Sequence, residues 1–184
     1  MKRYFLVVIL LVFAALFMVS CPLEEKPPKI ILTEPDLSIY KYQKTKDVVQ
    51  LVYDAFNEIE LKGVDAFAQF RIEGSKWYND DTYIFVWNMS GIRFVYPPEP
   101  SGEGKNMSSL KDENGKPIGQ EFINAAKAGE GWVTYMWTKP GTFEPSQKTT
   151  FIKQVTDYDG VPYLIGCGIY DMPSEKVLEK NTTE

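Results

Sequence analysis

"TYIFVWNMSGIRFVYP", Thr82 to Pro97, sets the reading of the whole chain. Tyr83, Phe85 and Trp87 alternate with Ile84 and Val86, the period of two that puts successive side chains on opposite faces of a strand. Ser90-Gly91 supplies a two-residue turn, and "IRFVYP" runs back. The stretch predicts a β-hairpin.

Working outward on the N-terminal side, Val48, Val52, Phe56 and Ile59, then Val64, Phe67 and Phe70, recur at helical spacing with charges between them. They predict a long amphipathic helix and a shorter one, broken or bent at Gly63. On the C-terminal side, Pro97 to Gly115 is rich in Pro, Gly, Asn and Ser and reads as an ordered loop. Pro117 opens a short helix with Ile118, Phe122 and Ala126 as its buried stripe, and Gly129 closes it. Three further strands are predicted over Trp132–Lys139, Lys148–Asp157 and Tyr163–Tyr170, linked by Gly- and Pro-containing turns. The order gives an α+β domain: a long N-terminal helix packed on a five-stranded antiparallel sheet.

The first residues are of another kind. Lys2 and Arg3 precede an almost wholly apolar run from Tyr4 to Val19, and Ser20 stands before Cys21. This is the design of a secretory signal, residues 1–20, and "MVSC" resembles the lipobox that precedes an acylated Cys21. The alternative is a single retained N-terminal helix, since Tyr4 to Ser20 reaches the lower limit of about 17–25 residues for a membrane span. Either reading puts the globular part outside the cytoplasm, as a cell-envelope protein. Residues 22–43, with four prolines between Pro22 and Asp36, read as a tether, residues 44–171 as one domain with one core, and residues 172–184 as a polar tail.

Composition excludes several functions. Without Lys2 and Arg3 the chain carries 18 basic and 25 acidic residues, a net of −7, so nucleic acid is not an expected partner. There is no histidine, which removes the commonest general base and metal ligand. With Cys21 assigned to the anchor, Cys167 is alone in an apolar strand and reads as a buried, inert thiol. "KDENGKPIGQE" fails as a calcium loop, because from Asp112 the fifth position is Lys116 and glycine falls at the fourth. Asp80 and Asp81 are adjacent and point apart. No enzyme, metal site or cofactor is expected.

The aromatic and cationic residues of the strands are the strongest lead. In "GWVTYMWTKPG", Gly131 to Gly141, both faces are bulky, and one carries Tyr135, Trp137 and Lys139. A sheet covered on one face by a helix has no need of such rings on the other unless a cover or a ligand sits there. Tyr83, Phe85, Tyr135 and Trp137 therefore become candidate ligand-binding residues, joined by Arg93 and Lys148 as charges for an anion. The loop with Gly102, Gly104 and Asn106 is expected to close over them, and Lys139, beside Pro140, to mark the strand exit in solvent.

Several stretches together resemble the Cache superfamily of extracellular sensor domains, in its single-module type 2 form: "DTYIFVWNMSGIRFVYPP", "GKNMSSLKDENGKPIGQEFINAAKAGEGWVTYMWTKPG", "QKTTFIKQV" and "YLIGCGIY". The resemblance covers about Phe67 to Tyr170. It implies a PAS-like sheet that binds small ligands, often short carboxylates, and a role as sensor in signal transduction or in solute capture. Family members commonly carry a histidine where this chain has Tyr96 before Pro97, which removes any recognition that needs an imidazole. The short polar segment after Tyr170 takes the place of the family's membrane helix and transmitter, so the expected partner is a separate membrane receptor, kinase or transporter. The other function in view is an interaction module that docks such a partner through its aromatic face without a ligand. A concave pocket would favour the first reading, a flat exposed patch the second.

Overall fold

The computed structural model describes residues 32–181. Its helices are α1 (Gln43–Lys62), α2 (Phe67–Phe70), α3 (Ile118–Lys127) and α4 (Ser174–Val177). Its strands are β1 (Tyr78–Asn79), β2 (Thr82–Tyr83), β3 (Phe85–Asn88), β4 (Arg93–Val95), β5 (Glu130–Thr138), β6 (Pro145–Thr156) and β7 (Pro162–Tyr170). Five of these form an antiparallel sheet in the order β4-β3-β7-β6-β5. The long helix on a five-stranded antiparallel sheet is the predicted α+β, PAS-like fold.

The predicted first strand, Thr82 to Met89, is two pieces. Asp80 takes a left-handed conformation (φ 52°), folding β1 back on β2 with Tyr78 opposite Tyr83. The Ile84 amide donates to the Trp77 carbonyl (2.9 Å), and only from Phe85 does the chain join the large sheet. The turn is also longer than Ser90-Gly91. The Asn88 side chain accepts from the amides of Ser90 (3.0 Å) and Ile92 (2.9 Å), so Met89, Ser90 and Gly91 make a three-residue loop, with a register shift between Val86 and Trp87.

Helix α1 ends where the sequence placed its break. Gly63 has φ 55°, a region that an L side chain enters only at a cost, and a Cβ there would lie 2.9 Å from Cε1 of Tyr158. Val48, Val52, Ala55 and Ile59 of α1 are buried with Val86, Phe151, Val155, Ile165, Cys167 and Ile169 of the sheet. Full burial of one such aliphatic side chain contributes about 1.5–3 kcal/mol. Cys167 is fully buried in this layer, and burial pushes its thiol up to about 11.

The opposite face of the sheet holds a second core. Ile118, Phe122, Ile123 and Ala126 of α3 pack on Tyr83, Phe85, Trp87, Val133, Tyr135 and Leu164. The connection into α3 is held by Asp112, which accepts from the amides of Asn114, Lys116 and Met136. This is turn chemistry.

Both ends of the described chain are docked. Leu32 already belongs to the folded unit, within the stretch read as tether, and Thr33 exchanges two hydrogen bonds with the Asn57 side chain (2.8 and 3.0 Å). After Tyr170 the polar segment returns to α1: Thr45 donates to the Val177 carbonyl (3.3 Å), and Lys180 pairs with Tyr40. Among the described residues, no helix is long and apolar enough to cross a membrane. Cys21 and the predicted signal segment lie outside the described residues.

Candidate functional site

The space between the second face of the sheet and the α3 layer is not completely filled. A cavity there is lined by Tyr83, Phe85, Trp87, Arg93, Tyr96, Tyr135 and Trp137 from the sheet side and by Leu110, Ile118 and Phe122 from the cover. It encloses about 270 Å³ free of atoms, mouth included, of which about 20 Å³ admits the centre of a water molecule. A site needs roughly 10–15 Å³ by that measure for one water, so only a ligand of a few heavy atoms fits without movement of the walls.

Strand parity brings five of the six candidate residues together here: Tyr83, Phe85, Arg93, Tyr135 and Trp137. Phe85 stacks on Phe122 with ring centres 5.5 Å apart. The hydroxyls of Tyr135 and Thr150 are 3.0 Å apart. The Trp137 indole donates to the Tyr96 hydroxyl (3.0 Å). These polar tips are spent on the protein itself, and the rings serve as wall.

Arg93 differs from all of them. It is 6% exposed, makes no ion pair among the described residues, and its guanidinium lies 4.1 Å from the Tyr96 ring centre and 5.9 Å from that of Trp87. Its Nε has no hydrogen-bond partner among the described residues. Burial pulls its pKa down, against the pull of the neighbouring tyrosines and Glu99. Stacking on Tyr96 is a favourable cation–π contact, but it satisfies no N–H.

Lys148, the sixth candidate, does not line the cavity. It lies in the floor between its cross-strand neighbours Tyr135 and Tyr170, and its ammonium donates to the Tyr83 hydroxyl (2.8 Å). Gly168 makes the room, since a Cβ there would stand 2.2 Å from Lys148 Cε. With no carboxylate paired to it among the described residues, burial pushes the ammonium down to about 7, opposed by the fields of Cys167 and Asp81. Lys148 therefore reaches the cavity only through Tyr83.

One expectation is extended and one corrected. Lys139 stands at the exit of β5, partly exposed as expected, and is ion-paired there with Asp81 (2.8 Å) and with Asp171, tying the β1–β2 turn to the ends of β5 and β7. The loop of Gly102, Gly104 and Asn106 does not span the Tyr135–Trp137 rings. It runs along β4 as an irregular edge, with the Gly104 amide donating to the Arg93 carbonyl (2.8 Å) and the Arg93 amide to the Lys105 carbonyl (3.0 Å). Glu103 pins it there, accepting from Arg71 (Nη2, 2.8 Å) and the Tyr96 amide (2.8 Å). The cover over the rings is Leu110, Ile118 and Phe122, residues whose sequence pattern points only to loop or helix packing. Trp87 shared the parity of Tyr83 and Phe85, which was the signal that could have added it. Tyr96 stands at the position where the resemblance expected histidine.

A five-stranded antiparallel sheet with a long helix on one face and a small cavity on the other is the architecture of extracytoplasmic sensor domains. A Cache domain family model of the dCache_2 type matches residues 43–184, and the chain belongs to the Cache family. The sensor histidine kinase MctS of Rhizobium johnstonii is 34% identical over half of this chain and 20% of its own length. The methyl-accepting chemotaxis protein McpP of Pseudomonas putida is 27% identical over 73% of this chain and 26% of its own. The chain thus spans about a fifth to a quarter of these relatives. Among solved structures, a periplasmic sensor domain of a chemotaxis protein superposes with a TM-score of 0.61 at 26% identity, over 70% of this chain and 96% of the other. A Cache chemosensory domain described for its carboxylic acid recognition has the same fold, with a TM-score of 0.58 at 24% identity, over 70% of this chain and 94% of the other. Cache domains are sensory, ligand-binding modules, found in these relatives as parts of kinases and chemoreceptors.

Proposed function

We propose that this chain is an extracytoplasmic Cache sensor or solute-capture domain of the single-module form, and that its cavity takes a short carboxylate. The observation that supports the ligand class is Arg93, a buried guanidinium whose Nε has no hydrogen-bond partner and which forms no salt bridge among the described residues, Glu99 acting on it only through its field. A buried charge is ordinarily paired, and a carboxylate matches the forked guanidinium geometry. The aromatic walls exclude water and strengthen each remaining hydrogen bond. Tyr83, Phe85, Tyr135 and Trp137 then shape the site, and Lys148 acts through Tyr83. Docking of a partner through the aromatic face loses its basis, because that face lies beneath α3 with Tyr135 only 5% exposed.

Thermal unfolding of the purified protein with a panel of short mono- and dicarboxylates, amino acids and neutral solutes tests the proposal. A ligand at one hundred times its Kd stabilises by about 2.7 kcal/mol, so at least one carboxylate should raise the midpoint by several degrees. A panel in which no carboxylate shifts it overturns the reading.

The anchor proposed for the domain is an acyl group on Cys21, released from the signal segment by cleavage after Ser20. One acyl chain binds a membrane only marginally, so stable retention would take more than one. Cys21→Ala is expected to abolish incorporation of a fatty-acid probe and to leave the protein in its precursor form or released. Undiminished labelling of that variant rules the anchor out. Since the matching relatives are a sensor kinase and a chemoreceptor, the proposed partner is a receptor, kinase or transporter of the same membrane.

A further inference from the structure

Arg93 is not the only buried donor left without an acceptor at the cavity. The indole Nε1 of Trp87 has no hydrogen-bond partner among the described residues either, and Trp87 is 2% exposed. The two residues sit directly opposite each other on β3 and β4 and both line the cavity. Every other polar tip on these walls is engaged: the Trp137 indole with Tyr96, the Tyr135 hydroxyl with Thr150, and the Tyr83 hydroxyl with Lys148. Buried polar groups in native proteins nearly always have partners, and an orphan calls for a specific explanation.

We propose that Trp87 is a ligand-binding residue, its indole N–H joining the guanidinium of Arg93 to hold the carboxylate oxygens of the ligand at the β3–β4 end of the cavity. The inference rests on the carboxylate reading above and deepens it. It fixes which way the ligand lies, with its anionic end between Trp87 and Arg93 and its remaining atoms against Phe85, Phe122 and Tyr135.

It also narrows the ligand class. An indole N–H and a guanidinium are donors only, and none of the cavity-lining residues is Asp or Glu. A carboxylate finds donors at this end, whereas the ammonium of an amino acid finds no counter-charge and would lie close to a buried cation. The site therefore accepts simple carboxylates and rejects the α-amino acids of the same size. The approach of Gly102 closes this end sterically: a Cβ at Gly102 would lie 2.8 Å from Nη1 of Arg93, so the loop backbone takes up the space beyond the guanidinium.

The test uses the whole protein with its tryptophans labelled with ¹⁵N, which gives four indole signals, that of Trp87 being identified by its loss in Trp87→Phe. Sodium propionate and acetate are the probes, and alanine and glycine the controls. Propionate is expected to move the Trp87 indole signal strongly, with a saturation curve matching the calorimetric Kd. Trp87→Phe keeps an aromatic ring and removes the N–H. It should weaken propionate about tenfold, the order for a hydrogen bond to a charged group, while alanine and glycine leave every indole signal in place.

Propionate binding with an unmoved Trp87 signal overturns the inference and leaves the carboxylate reading standing. So does equal affinity in a folded Trp87→Phe, and in both cases the orphan N–H is served by a buried water. Binding of alanine as tight as that of propionate overturns the selectivity. If no carboxylate binds the parent protein at all, the reading under Proposed function fails and this inference fails with it.

Discussion

Arg93→Ala is expected to weaken carboxylate binding by about 2–5 kcal/mol, the usual cost of truncating one partner of a buried, hydrogen-bonded charge pair. The reason is that the cavity has one cation on its wall, since Lys148 stands behind Tyr83. Arg93→Lys should recover part of the loss, because the point charge returns without the fork. Arg93→Met separates the ligand from the fold. In the unliganded domain, Met replaces a guanidinium that is buried and unpaired, and swapping buried charge for apolar volume is often neutral or stabilising. The unliganded midpoint of Arg93→Met should therefore equal or exceed that of the parent, while the shift caused by propionate disappears. Calorimetry and thermal unfolding on the same three variants decide it. If Arg93→Ala binds propionate as tightly as the parent, the anion lies elsewhere in the molecule.

Much of this architecture was legible because burial is written in side-chain periodicity. The apolar stripe of Val48, Val52 and Ile59 and the alternation through Phe85 and Trp87 correspond directly to the two cores. Parity also placed Tyr83, Phe85, Tyr135 and Trp137 on one face, since a strand allows no other arrangement. What parity does not encode is depth. Arg93 and Lys148 lie on the same face and are equivalent by parity, yet one borders the cavity and the other sits in the floor. The difference arises from Gly168, which opens space for the lysine stem, and from the Tyr83 ring that lies above it. The path of the loop from Pro97 was also hidden. It depends on Glu103 meeting Arg71 across 32 residues of sequence, a pairing of the kind that composition cannot assign. The same holds for Lys139, whose carboxylate partners Asp81 and Asp171 lie on two other segments.

Lys148→Met is expected to stabilise the unliganded domain near pH 6.5 by an amount on the order of a few kcal/mol, and to remove a rise in stability between pH 7 and 9 that the parent shows. The ammonium faces Tyr83 from β2, Tyr135 from β5 and Tyr170 from β7, and feels the fields of Cys167, on the opposite face of β7, and of the Asp81 carboxylate. Burial pushes it down to about 7 from 10.5. Between those two values the unfolded chain holds the lysine proton and the folded domain does not, so stability increases with pH through that window. Below pH 7 both states are protonated and the full cost of burying the charge is present. The Cys167 thiol works in the opposite sense: burial raises it from 9.0 to about 11, so above pH 9 the folded domain holds a proton that the unfolded chain has released, and stability falls. The clean interval is therefore pH 7 to 9, and the comparison with Lys148→Met removes contributions shared by both proteins. The measurement is the free energy of urea unfolding at intervals from pH 6 to 9, with and without propionate. A bound anion favours the protonated lysine, so propionate should bind the parent more weakly at pH 8.5 than at 6.5, with that difference lost in Lys148→Met. Parallel stability profiles for the two proteins would mean that the lysine remains charged in the fold, held by a carboxylate or water that its surroundings do not reveal. A pH-dependent affinity surviving in Lys148→Met would assign the linked proton to another group.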